Sequence, residues 1–182
     1  MLMIIKTRLL GLLIAGIVLS GCSFNVPKYN ADAFNVKKME SIPTSINVGT
    51  FTATKPGVTS ITCRAAGSVG TPDGSTFEQF IRNAFISELK IAKKYNPNSK
   101  ITLTGHLEEI DFNSNLGTAD WVMRLTATSS NSRSITINTK YDFDGSFIAN
   151  QACADVASAF IPAIQKLISN LINNRDFYTL LK

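Results

Sequence analysis

Only one histidine, His106, is present in the 182 residues, and this bounds the chemistry open to the chain. A metal site built from several imidazoles is excluded, and His106 is the sole imidazole that could serve a serine nucleophile as base. It shares the polar side of an alternating segment with Thr102 and Thr104, and no Gly-x-Ser-x-Gly elbow accompanies it, so it reads as a surface histidine. Six carboxylates (Glu108, Glu109, Asp111, Asp120, Asp142 and Asp144) could supply an acid–base pair or a hard-cation site. They fall on the polar faces of alternating segments, without calcium-loop spacing, and read as solvated. Residues 67–75 are glycine-rich but carry neither a Gly-Lys-Ser/Thr phosphate loop nor a dinucleotide fingerprint. No catalytic residue, metal ligand or cofactor is therefore assigned, and the chain is expected not to be an enzyme.

The cysteines point elsewhere. Lys6 and Arg8 precede an apolar run over residues 9–19, and the run ends in Leu19-Ser20-Gly21-Cys22. A basic n-region, an apolar h-region and small residues before a cleavage point are the parts of a secretory signal. The placement of Cys22 resembles the lipobox of bacterial lipoprotein precursors. That resemblance implies a signal peptide over residues 1–21, cleavage before Cys22, diacylglyceryl on its thiol and acylation, for instance by palmitate, of the new amine. Two or three acyl chains hold a protein stably on a bilayer where one does so only marginally. Ser23 stands where the family's inner-membrane retention signal has Asp, which implies the outer membrane, facing the periplasm. The alternative is an uncleaved N-terminal anchor with an incidental cysteine. An h-region shorter than the roughly 20 residues of a spanning helix favours cleavage.

With Cys22 carrying lipid, Cys63 and Cys153 are left as an even pair in an oxidising compartment, and a structural disulfide is expected; the alternative is two separately buried thiols. The formal charge of +5 includes Lys6 and Arg8, so the part after the signal has 16 basic and 13 acidic residues, a net +3. No cluster of Lys and Arg interleaved with aromatics suggests nucleic acid. One domain accounts for the length.

Residues 22–45 lack periodicity and hold two prolines, which reads as a lipidated tether, although Ala33-Phe34-Asn35-Val36 could dock on the domain. A single domain is expected over residues 46–182. Residues 46–54 alternate as a strand, residues 58–64 as a short one, and residues 67–75 read as a loop. Ser75 and Glu78 form a capping-box pattern before a helix whose stripe is Phe77, Phe80, Ile81, Ala84, Phe85, Leu89 and Ala92. Residues 100–112 alternate but change phase at Glu108 and Glu109, as a β-bulge would require. Two further strands, around Trp121 to Ala127 and Ile135 to Phe143, precede a second amphipathic helix over about 150–173. Pro162 is expected to kink or break that helix. The pattern predicts an α+β fold: an antiparallel or mixed sheet of about four to five strands with two amphipathic helices packed on one face.

The reading that follows is a membrane-anchored, non-enzymatic envelope lipoprotein, bound to the membrane through Cys22 and serving as a binding or accessory component for an envelope protein. The lipobox, tether and two-helix α+β domain together are similar to auxiliary lipoproteins of ABC-type transport systems and related outer-membrane assembly factors. That likeness covers only the order of elements and transfers no functional residue. An inhibitor or ligand-binding module inserting residues 67–75, and an enzyme using His106, are the alternatives.

Overall fold

Alternation of apolar and polar residues decides the main sheet of the computed structural model, which describes residues 23–182. The expected signal peptide and Cys22 lie outside the described residues. In chain order the elements are β1 (Ser23–Phe24), α1 (Ala33–Glu40), β2 (Asn47–Ala53), β3 (Ser60–Cys63), β4 (Gly67–Gly70), α2 (Phe77–Ile91), β5 (Thr102–Asn113), β6 (Asp120–Ser129), β7 (Ser134–Asp142), α3 (Ala149–Asn173) and a 3-10 turn (Phe177–Leu181).

Strands β5, β6 and β7 form an antiparallel meander, and β2 adds to β5 in parallel, giving the order β2-β5-β6-β7. Val48, Leu103, Leu107, Trp121, Met123, Leu125, Ala127 and Ile137 point to one buried face. Helix α2 covers β2 and β5 there, and α3 covers β6 and β7. Trp121, Phe77, Phe85 and Phe160 are fully buried between the layers, each worth roughly 1.5–3 kcal/mol in apolar burial. The Trp121 ring lies 5.1 Å from that of Phe160, and its indole N–H donates to the Val156 carbonyl at 3.0 Å. The fold is thus α+β with a mixed four-stranded sheet and its helices on one face. Thr104, His106, Arg124, Thr136 and Asn138 line the other face, which is open to solvent.

Four local expectations are corrected. The segment over residues 22–45 does not hang free where it is described: Val26, Met39 and Ile42 are buried, α1 packs on α2 and α3, and β1 pairs with β4. Its apolar anchors are too widely spaced to show a period, yet each finds a site on the body. Residues 67–75 do not form one loop, because β4 is the central strand of a second sheet ordered β1-β4-β3, held by Val69, which is fully buried. The capping box is not formed. Asp73 takes the backbone N–H and hydroxyl of Ser75, and α2 begins after Thr76 with no side-chain cap. Finally, of the kink or break expected at Pro162, the break is not found: α3 is continuous from Ala149 to Asn173. Proline removes the N–H that would bond the Ser158 carbonyl, and Ser158 is exposed, so water can satisfy that oxygen. Helix α3 is long and apolar enough to cross a membrane, but its apolar stripe is spent on the core.

Candidate functional site

The phase change in β5 is a bulge, and the bulge helps build a pocket. Leu107 pairs with Leu125 and Glu109 with Arg124, which leaves Glu108 as the extra residue. Its carboxylate meets the Arg124 guanidinium at 2.8 Å and accepts from the Thr126 hydroxyl at 2.5 Å. Strand β2 leaves the sheet at the same level: Ala53 pairs with Leu107, and the Thr54 N–H donates to the Leu107 carbonyl at 3.0 Å. Beyond that bond, β5 continues to Asn113 with no described strand on this edge.

The gap is roofed by residues 55–58, Ile61 of β3 and the first turn of α2, enclosing about 250 Å³. Ala53, Val58, Ile61, Phe77, Leu107 and Ile110 give it an apolar lining. Glu78, only 6% exposed, stands in the wall, and Lys55, Glu109 and Asp111 also line it. Among the described residues no ion pair neutralises Glu78, Glu109 or Asp111. Chemically this is an apolar slot with an acidic rim beside a free strand edge. Such a site suits an extended chain carrying a basic side chain, whose aliphatic stem can bury while its charge meets carboxylates.

The other residues singled out in the sequence do not converge on it. His106 lies on the open face, where Thr52 Oγ1 is 2.8 Å from Nδ1 and Thr54 Oγ1 is 3.1 Å from Nε2, with no acid partner at either nitrogen among the described residues. Asp120 and Asp142 both face Lys140, at 3.5 and 2.8 Å. Among the described residues, no group of three His, Cys, Asp or Glu side chains could hold a metal ion.

Cys63 and Cys153 are joined by a disulfide that ties the end of β3 to the first turns of α3. Arg64 follows it in a tight turn that closes on itself, the Ala66 N–H donating to the Cys63 carbonyl at 2.8 Å. Arg64 and Ala65 both have positive φ, at 45° and 54°, as in a type I′ turn, a conformation that normally selects Asn and Gly. The Arg64 side chain spans the adjoining loops. It donates to Ser114 Oγ at 2.9 Å, to the Ser114 carbonyl, and to the carbonyls of Ser146 and Phe147 at 3.2 and 3.3 Å.

A second polar centre escaped sequence reasoning. Glu88 of α2 is fully buried, and its Oε1 accepts from the Tyr29 hydroxyl at 2.5 Å, the Asp32 N–H at 3.0 Å and Asn35 Nδ2 at 3.4 Å. Its Oε2 has no partner among the described residues. Burial holds the Glu88 carboxyl above the usual carboxylate range, although these bonds pull it down; burial and the neighbouring carboxylate push the Tyr29 phenol up. The available signal was a glutamate four residues after Ala84 and one before Leu89, on the apolar stripe of α2.

No family model matches the chain, and no curated protein matches it. Among solved structures, the crystal structure of protein XCC0632 from Xanthomonas campestris, assigned to the family DUF330, superposes with a TM-score of 0.49 at 12% identity. The superposition covers 88% of this chain and 94% of that one.

Proposed function

We propose that the protein is a lipid-anchored, non-enzymatic lipoprotein of the cell envelope that receives a partner protein at the pocket beside β5. The single observation that carries the binding role is the free β5 edge over Glu108 to Asn113, set against an apolar slot with unpaired carboxylates. An extended partner segment adds its backbone to this edge, fills the slot with an apolar side chain and places a basic one beside Glu109 and Asp111. Cys22 carries the lipid, and the outer membrane, on its periplasmic side, is the address implied by Ser23. The resemblance of Leu19-Ser20-Gly21-Cys22 to a lipobox supports the anchor. The partner belongs to an envelope transport or assembly system.

Two measurements test this. Cys22→Ser abolishes fatty-acid labelling and leaves a precursor of higher mass; continued labelling removes the anchor. A photocrosslinker at Val58, activated in intact membranes, yields an adduct whose partner peptide, sequenced by mass spectrometry, is extended and basic. The double substitution Glu109→Lys, Asp111→Lys suppresses the adduct. An adduct indifferent to the charge reversal, or none at all, overturns the binding reading.

A further inference from the structure

The described chain begins at a definite place. Strand β1 runs parallel to β4, with Ser23 opposite Ser68 and Phe24 opposite Val69. The start of β1 therefore lies beside the start of β4, at the end of the small sheet where the turn after Cys63 closes. Neighbouring strands are about 4.8 Å apart, so β1 and β3 are separated by about 10 Å across β4. Ser23, the residue that follows Cys22 in the sequence, lies at this pole.

The same pole carries three large apolar side chains in contact with solvent. Leu116, in the loop between β5 and β6, is 61% exposed; Phe147 and Ile148, before α3, are 84% and 70% exposed. They belong to two loops drawn together. Arg64 bonds the backbone of both, and Gly145 packs so closely that a Cβ there would lie 2.6 Å from the Asn115 carbonyl oxygen. The disulfide fixes the first turns of α3, which follow Ile148, to Cys63 at the end of β3, next to Arg64. A solvent-facing phenylalanine and two aliphatic side chains on braced loops would not be favoured for a domain surrounded by water. The other exposed large apolar residues, Phe34 on α1, Ile91 on α2 and Tyr178 in the 3-10 turn, share neither this bracing nor the neighbouring chain entry.

We infer that Leu116, Phe147 and Ile148 form a membrane-docking tip that enters the lipid interface beside the acylated Cys22. This rests on the proposed lipidation, and it goes further: the domain stands on the bilayer in one orientation instead of swinging on its anchor. The occupant is the lipid surface because the described chain starts beside the turn whose Arg64 gathers both loops, and acyl chains on the proposed anchor bring the bilayer to that pole. The three side chains are apolar, and the Arg64 guanidinium between their loops is taken up by hydrogen bonds to Ser114, Ser146 and Phe147, so the contact does not depend on anionic headgroups.

The full-length lipoprotein, purified from membranes and reconstituted in phosphatidylethanolamine–phosphatidylglycerol vesicles, tests this. Three single-cysteine labels carry the same small fluorophore: Leu116→Cys, Phe147→Cys and, at the opposite pole in the turn between β6 and β7, Arg133→Cys. Lipids bearing a nitroxide near the headgroup are expected to quench the first two labels several-fold more than the third. In Phe147→Asp, Ile148→Asp, quenching at position 116 falls to the level at position 133, while fatty-acid labelling is unchanged. Equal quenching at all three positions in a protein that carries lipid overturns the docking and leaves the anchor standing. Absence of lipid on Cys22 overturns both. Shielding of the label at position 116 from a water-soluble quencher, without lipid quenching, assigns the tip to a protein contact and overturns the proposal.

Discussion

Two fastenings hold the periphery to the sheet-and-helix core, and they use opposite physics. At one pole the Cys63–Cys153 bond and Arg64 clamp β3, α3 and two loops by a covalent link and hydrogen bonds that remain solvent-exposed. At the other fastening, Glu88 holds Tyr29, Asp32 and Asn35 through a buried carboxylate. A disulfide acts largely by restricting the unfolded chain and is insensitive to protonation. A buried carboxylate acts in the folded state, where the bonds it accepts favour its charge and burial opposes it. The first fastening should respond to redox conditions and the second to pH.

The largest effect should come from the covalent clamp. Its cysteines are 90 residues apart, and Cys63→Ser with Cys153→Ser should cost about 4 kcal/mol, lowering the melting temperature by roughly 10 °C by calorimetry. A loss of the same size under reductant, unchanged between pH 5 and 8, would sharpen the contrast. Glu88→Ala follows, at about 2–4 kcal/mol in urea unfolding, because it leaves the half-buried Tyr29 hydroxyl and Asp32 N–H without their acceptor. If it costs nothing, the clasp is not a fastening. Arg64→Ala should remove about 1–2 kcal/mol, since its bonds compete with water, and should raise hydrogen exchange in residues 114–118 and 143–148.

The smallest effect in magnitude separates the two fastenings most sharply. Because the folded-state pKa of Glu88 is raised, the folded protein holds its proton more tightly than the unfolded chain does. Stability contributed by protonated Glu88 is thus present at low pH and is lost as pH rises from the ordinary carboxylate value through the raised one. Glu88→Gln keeps an acceptor for Tyr29, Asp32 and Asn35, so it should leave stability nearly unchanged at low pH and flatten this decline. An unaltered slope would show that another group carries it.

These contrasts also mark what sequence made legible. The covered sheet and both amphipathic helices follow from periods of two and 3.6, and the bulge at Glu108 was visible because one extra residue reverses the alternation of Leu103 and Leu107 against Ile110. The small sheet was hidden because Gly67, Ser68 and Gly70 give β4 no pattern, and only Val69 anchors it. Helix α1 buries only Asn35 and Met39 of its own residues, too few to register as a stripe. The start of α2 was misplaced by one residue because Asp73 competes for Ser75. The pocket was illegible for another reason: its lining comes from β2, β3, β5 and α2, and only the departure of β2 at Ala53 opens the β5 edge.

The parallel pairing of β2 with β5 also has a consequence in time. Strands β5, β6 and β7 are joined by short turns and can pair soon after collapse, whereas Asn47 must wait for Thr102, with β3, β4 and α2 between them. Closing that loop costs entropy before any contact repays it, so distant pairings of this kind slow a fold. Pulse-labelled hydrogen exchange should find β6 amides protected before those of β2. Until β2 arrives, the whole β5 edge is exposed, which makes this the interval when an unassembled chain is most open to pairing with another strand.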